Sequence, residues 1–452
     1  MGKYFGTDGF RGEAGGTLTA EHAYKVGRFL GAFSKKDQAG RTRVVIGKDT
    51  RRSSYMLEYA MAAGLAASGA DAYMLHVTTT PGVSFVTSSD AFDFGVMISA
   101  SHNPFCDNGI KIVNYRGEKI DDTMIDDIEA YIDGKKGEIP FATGANVGEI
   151  IDYYAGRNRY IGFLISLSRH SFKNYKVGID AANGGAWMIA KSVFDALGAK
   201  TSVINAAPDG LNINVDSGST HIEALVKHVR ENHLDVGFAF DGDADRCIAV
   251  DECGEVVNGD YILYILADAM KQSGELENNT VVTTVMSNLG LYRALETAGI
   301  AYEKTAVGDR FVYESMQRNG YTLGGEQSGH IIIGKYATTG DGIITAIKLM
   351  EAIIDSKKSL AALSASVKML PQITVNVRVV DKESVNRNER VLGVIKYIEE
   401  QLGCCGRILV RASGTEPVIR VMVEAEEESI CRKFCEMVVS VFRAEGLEKN
   451  EE

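Results

Sequence analysis

Short, β-branched apolar runs alternate along the chain with amphipathic stretches of helical period, the pattern of strands laid between helices. One kind of run passes into a Gly- or Asn-containing turn and then a helical stretch. It occurs at Val44–Ile46 before Gly47-Lys48-Asp49, at Val177–Ile179 before Asp180–Gly185, and at Val281–Val285 before Ser287–Gly290. Roughly 40–60 residues after each comes a second run that ends in a dense polar loop. These loops are Ser99–Asn108 after Phe94–Ile98, Asp241–Arg246 after Val236–Phe240, and Gly324–His330 after Tyr321–Leu323. The last segment differs. Alternation over Ile373–Val379 predicts a half-buried strand, helical period follows around Val391–Leu402, then strands at Arg407–Val410 and Val418–Glu424 and a closing helix. The charged tail Glu448–Glu452 is expected to fray.

This layout predicts an α/β fold of three tandem similar domains with mixed sheets, over residues 1–150, 151–255 and 256–370, and a smaller α+β domain over 371–452. A chain of 452 residues exceeds what one ordinary core fills, in keeping with several domains. Sheets of this kind bind ligands beyond the carboxyl ends of their strands. Polar loops repeated at that edge are therefore expected to converge on one central cleft.

Composition narrows the chemistry. With 45% hydrophobic and 24% charged residues the chain can bury its own core. A net charge of -12 argues against nucleic acid, whose binders present a basic face, but leaves room for a small phosphorylated substrate held by a few arginines. The seven cysteines form no zinc framework: Cys431 and Cys435 share a helical face and Cys404–Cys405 are adjacent, with no histidine partner or second CxxC. Few cysteines and no leader-like stretch predict a reducing cytoplasm. Gly6 stands where N-myristoylation wants Ser or Thr, and the apolar run at Tyr261–Ile265 breaks at Asp268, so no membrane attachment is expected.

The polar loops carry the candidate chemistry. In Ser99-Ala100-Ser101-His102-Asn103-Pro104, continuing to Lys111, a serine at a strand end beside histidine is a candidate nucleophile, and the loop lacks the G-x-S-x-G elbow of acyl transfer. Pro104 biases Asn103 to an extended conformation, and a lone Ser-His pair is also compatible with a plain turn. In Asp241-Gly242-Asp243-Ala244-Asp245-Arg246, carboxylates at alternate positions are costly to cluster unless a cation neutralises them. An EF-hand fails because Arg246 occupies the position that needs glycine and because the preceding run is strand-like. An aspartate nucleophile of phosphatase type would leave Ser101 without a purpose, so magnesium binding is the reading preferred.

Two further loops complete the set. In Gly324–His330, Glu326 and Ser328 at alternate positions could face sugar hydroxyls and His330 could move protons, although a glycine-rich hairpin would look the same. In Arg411-Ala412-Ser413-Gly414-Thr415-Glu416-Pro417, with Arg420 beyond, backbone N–H and hydroxyl donors together with two guanidiniums suit an anion. Gly6-Thr7-Asp8-Gly9-Phe10-Arg11-Gly12 adds another flexible loop with an arginine.

Taken in order, GTDGFRG, SASHNP, DGDADR, GGEQSGH and RASGTEP resemble the motifs of the α-D-phosphohexomutases, and the likeness runs through essentially the whole chain. VVIGKDTR at 44–51, NINVDSGSTH at 212–221, TTVMSNLGL at 283–291, VGDR at 307–310 and Gln327 are similar to the bacterial branch that works on glucosamine phosphates. Ala412 stands where many members carry proline and Ser217 where many carry cysteine; neither removes a functional group. The resemblance implies that Ser101 is phosphorylated and that Asp241, Asp243 and Asp245 hold Mg²⁺ together with a phosphoserine oxygen. Glu326 and Ser328 would bind sugar hydroxyls, and Arg411, Ser413, Gly414, Thr415 and Arg420 the non-reacting phosphate. Arg11, His102, Lys111, Arg246 and His330 would be the surrounding cationic and proton-transfer groups.

The implied activity interconverts glucosamine 6-phosphate and glucosamine 1-phosphate through a phosphoserine enzyme and glucosamine 1,6-bisphosphate, which also serves as activator, and would feed UDP-N-acetylglucosamine synthesis. A relative acting on glucose or mannose phosphates, a catalytically silent phosphosugar sensor and a metal-dependent phosphatase are the competing readings. The partner expected is a hexosamine phosphate, with neither nucleic acid nor membrane, and a homodimer is left open.

Overall fold

The near-continuous apolar runs become strands covered on both faces, as the interior of such sheets requires. Every residue of Phe94–Ile98 and of Val236–Phe240 is buried. The computed structural model describes residues 2–6, 8–33, 40–412 and 418–449. These residues form two compact units, Met1–Met286 with Ile300–Ala365, and Ser287–Gly299 with Ser366–Glu452.

The first unit holds three mixed sheets. The seven-stranded sheet runs in the order Phe5–Gly6, Gly9–Glu13, Asp107–Asn114, Phe94–Ile98, Arg43–Lys48, Asp71–Val77, Ile150–Asp152. The five-stranded sheet runs Val256–Val257, Cys247–Asp251, Val236–Phe240, Lys176–Asp180, Lys200–Ile204, and the four-stranded sheet Ala301–Thr305, Thr280–Thr284, Leu323–Gly325, Ile331–Ile333. Each follows one plan. A run of parallel strands ends in a strand that delivers a polar loop, and the chain returns antiparallel beside it: 94–98 with 107–114, 236–240 with 247–251, and 323–325 with 331–333. The three tandem α/β repeats expected from the hydrophobic pattern are thus present, and their polar loops are hairpin connections.

Two details move. Lys111, expected as a continuation of the first loop, lies inside the return strand Asp107–Asn114, and Gly324 and Gly325 belong to a strand rather than to the loop after it.

Helix starts are set by side-chain caps, which satisfy otherwise orphaned N–H groups. Thr79 caps Thr80–Ser89, Asn258 caps Gly259–Ser273 and Asp341 caps Gly342–Ser356. The N-terminal segment is pinned by one buried carboxylate. Glu129, on the helix Asp122–Ile132, accepts the backbone N–H groups of Lys3, Tyr4 and Phe5 at 2.7, 2.7 and 2.8 Å. Among the described residues no helix is long and apolar enough to cross a membrane.

The second unit carries a three-stranded antiparallel sheet in the order Gln372–Arg378, Val418–Glu424, Arg407–Ala412. Its core takes in Val391, Ile398, Ile419, Val421, Cys431, Cys435 and Phe442, so the two helical cysteines pack as small apolar groups. Part of the terminal tail differs from expectation. Lys449 N–H donates to Arg378 O at 2.9 Å and Glu448 bridges Val379, because the strand edge offers those backbone groups partners; the last three residues lie outside the described set.

Glu129→Ala strips a charged acceptor from three N–H donors at once, and a loss of about 3 kcal/mol is expected, read as an earlier first transition in denaturant unfolding.

Candidate active site

The three hairpin loops of the first unit meet. Ser101 sits in the turn after Phe94–Ile98, 1% exposed, with its backbone in the left-handed region at φ +53°. For a side-chain-bearing residue that conformation costs about 1–3 kcal/mol and persists only where the surroundings enforce it. Here its N–H donates to Ser99 Oγ at 3.0 Å, and its hydroxyl donates to Asp241 Oδ2 at 2.5 Å. His102 Nδ1 lies 3.3 Å from the same hydroxyl.

Asp241, Asp243 and Asp245 are all buried, and each offers a carboxylate oxygen within 4.8 Å of the others. The turn Asp241-Gly242-Asp243-Ala244-Asp245 aims them inward: Ala244 N–H donates back to Asp241 O, and Ala244 itself takes a positive φ of +55°. Gly242 is required by close approach, since a Cβ there would stand 2.5 Å from the Ser101 carbonyl oxygen.

Like charges this near are tolerated only with compensation. Lys111 supplies part of it, donating to Asp243 Oδ2 at 2.9 Å and to Asp245 Oδ2 at 3.4 Å, with Asp8 at 3.2 Å. Burial works against the Lys111 charge, but Asp243, Asp8 and Asp245 outweigh it and hold the ammonium well above its usual range. Asp245 is driven below the carboxylate range despite its burial, by Lys111 and His330. Asp241 goes the other way, pushed well up by burial and then by the charges of Asp245 and Asp243.

The compensation is incomplete. Asp243 Oδ1 and Asp245 Oδ1 are buried and accept no hydrogen bond. Two orphaned carboxylate oxygens beside a third carboxylate form an all-oxygen donor set suited to a hard divalent cation. The residues present therefore fit Mg²⁺.

Around this floor stand the remaining candidates. His330 is 3% exposed, with Nδ1 3.7 Å from Asp245 and Nε2 accepting the Gly340 N–H at 2.9 Å. Burial lowers its pKa, but the contact with Asp245 and the charges of Asp309 and Glu326 prevail and raise it to about 9. His102 moves oppositely, lowered to about 4 by burial and then by Arg246 and Arg11. The Arg246 N–H donates to Asp241 Oδ1 at 3.2 Å. Arg11 pairs with Asp8 and donates to Asn103 Oδ1 at 3.2 Å.

The third loop closes the side. Glu326 Oε1 accepts the Gly308 N–H at 3.1 Å, Ser328 Oγ is buried without a hydrogen bond, and Gly329, at φ +89°, admits the Cys247 carbonyl where a Cβ would clash at 2.3 Å. A cavity of about 400 Å³, a size that takes a small ligand, adjoins the cluster at Lys111 and Asp245; Asp8, Lys119 and Asp309 line it too, whereas Ser101, Glu326 and Ser328 do not. A larger cavity of about 580 Å³ lies between Gly259–Ser273 and Gly342–Ser356, but its charges are already matched, Lys335 with Glu275 and Lys348 with Glu351.

The first three loops and Arg11 thus come together. Arg411 and Arg420 stand directly opposite each other across the antiparallel pair of the second unit. Ser413, Gly414 and Thr415 lie outside the described residues. Sequence reasoning passed over Asp8, Lys119 and Asp309. Lys119 bridges the two acids, at 2.9 Å to Asp8 Oδ1 and 2.7 Å to Asp309 Oδ2. Both acids fall inside quoted motifs, GTDGFRG and VGDR, and acids there were a usable signal.

Four family models cover the chain in order: phosphoglucomutase/phosphomannomutase alpha/beta/alpha domain I at residues 2–138, domain II at 158–254, domain III at 258–369 and the C-terminal domain at 375–441. The chain belongs to this phosphohexomutase family. A phosphoglucosamine mutase of Lachnospira eligens is 61% identical over 447 residues, spanning 99% of each chain. Among solved structures, a phosphoglucomutase/phosphomannomutase family protein from Burkholderia thailandensis shares the fold at a TM-score of 0.79 and 22% identity, over 98% of both chains. The Aspergillus fumigatus N-acetylphosphoglucosamine mutase, solved with GlcNAc-6P and magnesium, matches at 0.69 and 18% identity over 98% of this chain and 95% of its own.

Replacing Asp241 by Asn removes one of three crowded charges. The variant is expected to be more thermally stable than the parent in EDTA. It is also expected to lose most of the gain that Mg²⁺ gives the parent, about 2.7 kcal/mol at a hundredfold excess over Kd, both read in the same melting series.

Proposed function

We propose that this protein is a phosphoglucosamine mutase, interconverting glucosamine 6-phosphate and glucosamine 1-phosphate through phospho-Ser101. The observation that carries the reading is the Ser101 hydroxyl on Asp241, one of three buried carboxylates of which two others keep orphaned oxygens. A fixed nucleophile beside a cation site, with a cavity at hand, is what phosphoryl transfer needs, since that reaction rests on positioning and charge neutralisation. The full-length likeness to the Lachnospira eligens enzyme supports glucosamine phosphates as substrates.

In the proposed cycle the bond from phosphorus to Ser101 Oγ breaks as one forms to the free sugar hydroxyl. The sugar hydroxyl gives up its proton to a nearby base while the departing Ser101 Oγ takes one up, Asp241 Oδ2 at 2.5 Å and His102 Nδ1 at 3.3 Å being the groups beside that oxygen. The resulting glucosamine 1,6-bisphosphate turns around, its other phosphate returns to Ser101, and the isomer leaves. The same bisphosphate primes an unphosphorylated enzyme. Asp241, Asp243 and Asp245, with an oxygen on Ser101, would hold Mg²⁺, which when bound supplies positive charge to the transferring phosphoryl oxygens.

Within this scheme Lys111, Arg11 and Arg246 offset charge on the phosphoryl group and His330 serves as a proton-bearing neighbour. Glu326 and Ser328 recognise sugar hydroxyls; the orphaned Ser328 Oγ is ready for such a bond. Arg411 and Arg420, with Ser413, Gly414 and Thr415, take the phosphate that does not react. The working partition is residues 1–150, 151–255, 256–370 and 371–452, and the setting a reducing cytoplasm.

Ser101→Ala is expected to keep the melting temperature of the parent and abolish turnover, measured by a coupled assay with Mg²⁺ and a trace of sugar bisphosphate. Offered glucosamine, glucose and mannose 6-phosphates in parallel, the parent should show its highest kcat/KM on the amino sugar. A preference for glucose or mannose would reassign the substrate, and steady phosphate release without an isomerised sugar would make it a phosphatase. For Arg420→Ala the expected outcome is a KM for sugar phosphate raised by about tenfold or more, the worth of one charge-assisted hydrogen bond.

A further inference from the structure

Two segments remain without a role in the cycle above, the Asp49-Thr50-Arg51 turn and the Asn212-Ile213-Asn214 turn. Both end on the backbone beneath Ser101. Arg51 Nη2 donates to the carbonyl oxygens of Ser101 and Asn103, at 3.1 and 2.5 Å. Asn214 Nδ2 donates to the same two oxygens, at 2.9 and 3.0 Å. Two donors and two acceptors thus form a closed square under the serine turn, with Arg51 fully buried and Asn214 6% exposed.

Each donor is itself held. Arg51 is ion-paired with the buried Asp49, whose Oδ1 accepts the Arg51 N–H at 3.0 Å and the Ser54 hydroxyl at 2.7 Å. Asn214 comes from the five-stranded sheet's side, its N–H on Ala182 O at 2.9 Å, and Gly242 leaves the space it fills, since a Cβ there would lie 3.0 Å from Nδ2. Nothing in a packed core requires this arrangement. The carbonyls of a strained turn are gripped from two different sheets, and the first gripped residue, Ser101, is the one whose Oγ points at Asp241.

We propose that Arg51 and Asn214 are positioning residues for phosphoryl transfer: by clamping the Ser101 and Asn103 carbonyls they hold Ser101 left-handed and aim its Oγ into the carboxylate cluster. Both side chains direct these donors to backbone carbonyls beneath Ser101, so the effect expected is on the chemical step and not on substrate affinity. The inference rests on Ser101 being the phosphoryl carrier.

Asn214 is the residue to change, because removing it strands no buried charge. Asn214→Ala deletes the amide, and Asn214→Asp keeps its shape while placing oxygen against the two carbonyls. Both are expected to lower kcat about 100-fold, the effect of a misplacement near 1 Å, while KM for the sugar phosphate stays close to the parent's. Phosphorus NMR of the phosphoenzyme should show the phospho-Ser101 resonance shifted or broadened, and the rate of its hydrolysis relative to transfer should rise. Arg51→Lys, which keeps the charge but not the fork, is expected to fall between parent and Asn214→Ala.

Parent-like kcat and an unchanged phosphorus resonance in both folded Asn214 variants would overturn the clamp, and so would a raised KM at constant kcat. If instead Ser101→Ala still turns sugar phosphate over, the phosphoserine reading itself fails, whatever Asn214 does.

Discussion

Three carboxylates held within 4.8 Å of one another inside the protein set the terms for everything around them. Unneutralised, such a cluster opposes folding, because burial and mutual repulsion both penalise its charge. The protein meets that cost in part with Lys111 and His330 and leaves the rest open, as the orphaned oxygens of Asp243 and Asp245 record. A site with unspent negative charge is disposed toward a cation. The same field steers the neighbouring groups, drawing the pKa values of Lys111 and His330 up while burial and nearby arginines press that of His102 down.

The architecture makes the cluster possible by repeating one device. Each sheet of the first unit ends its parallel run in a hairpin whose turn is polar, so three turns from three sheets reach a common point without any long unsupported loop. Such short connections between rigid strands suit in-line chemistry, which tolerates little displacement. Contacts between turns then lock the arrangement. The Gly185 N–H donates to Gly242 O, the Thr80 N–H to Asp243 O, and the Cys247 N–H to Gly329 O, at 2.8, 3.0 and 3.0 Å. The glycines at 242 and 329 are there because backbone passes where a side chain would stand.

Much of this was legible from residues alone. The apolar runs marked the strands, the alternate aspartates marked a cation loop, and five short motifs in order marked the family. The failures have physical causes. Lys111 reads as part of the polar loop; it lies in the return strand between Ile110 and Ile112, where Asp243 and Asp245 from another sheet's hairpin meet its ammonium. Arg51 and Asn214 belong to turns that read as ordinary helix and loop punctuation, and their shared target becomes visible only when two sheets are packed together.

What the sequence determined by itself was therefore local and periodic: which segments form strands and helices, which turns carry acid, serine or glycine, and to which family such an order of motifs belongs. Only the tertiary structure decided which of those groups meet. The left-handed backbone of Ser101, the lone oxygens of Asp243 and Asp245 and the opposite pKa displacements of His102 and His330 arise from burial and from contacts between separate turns, Ser101 with Asn214, His102 with Arg246 and His330 with Asp245. Charge and hydrogen-bond energies depend on distance and surrounding dielectric, and neither quantity exists until the chain has folded.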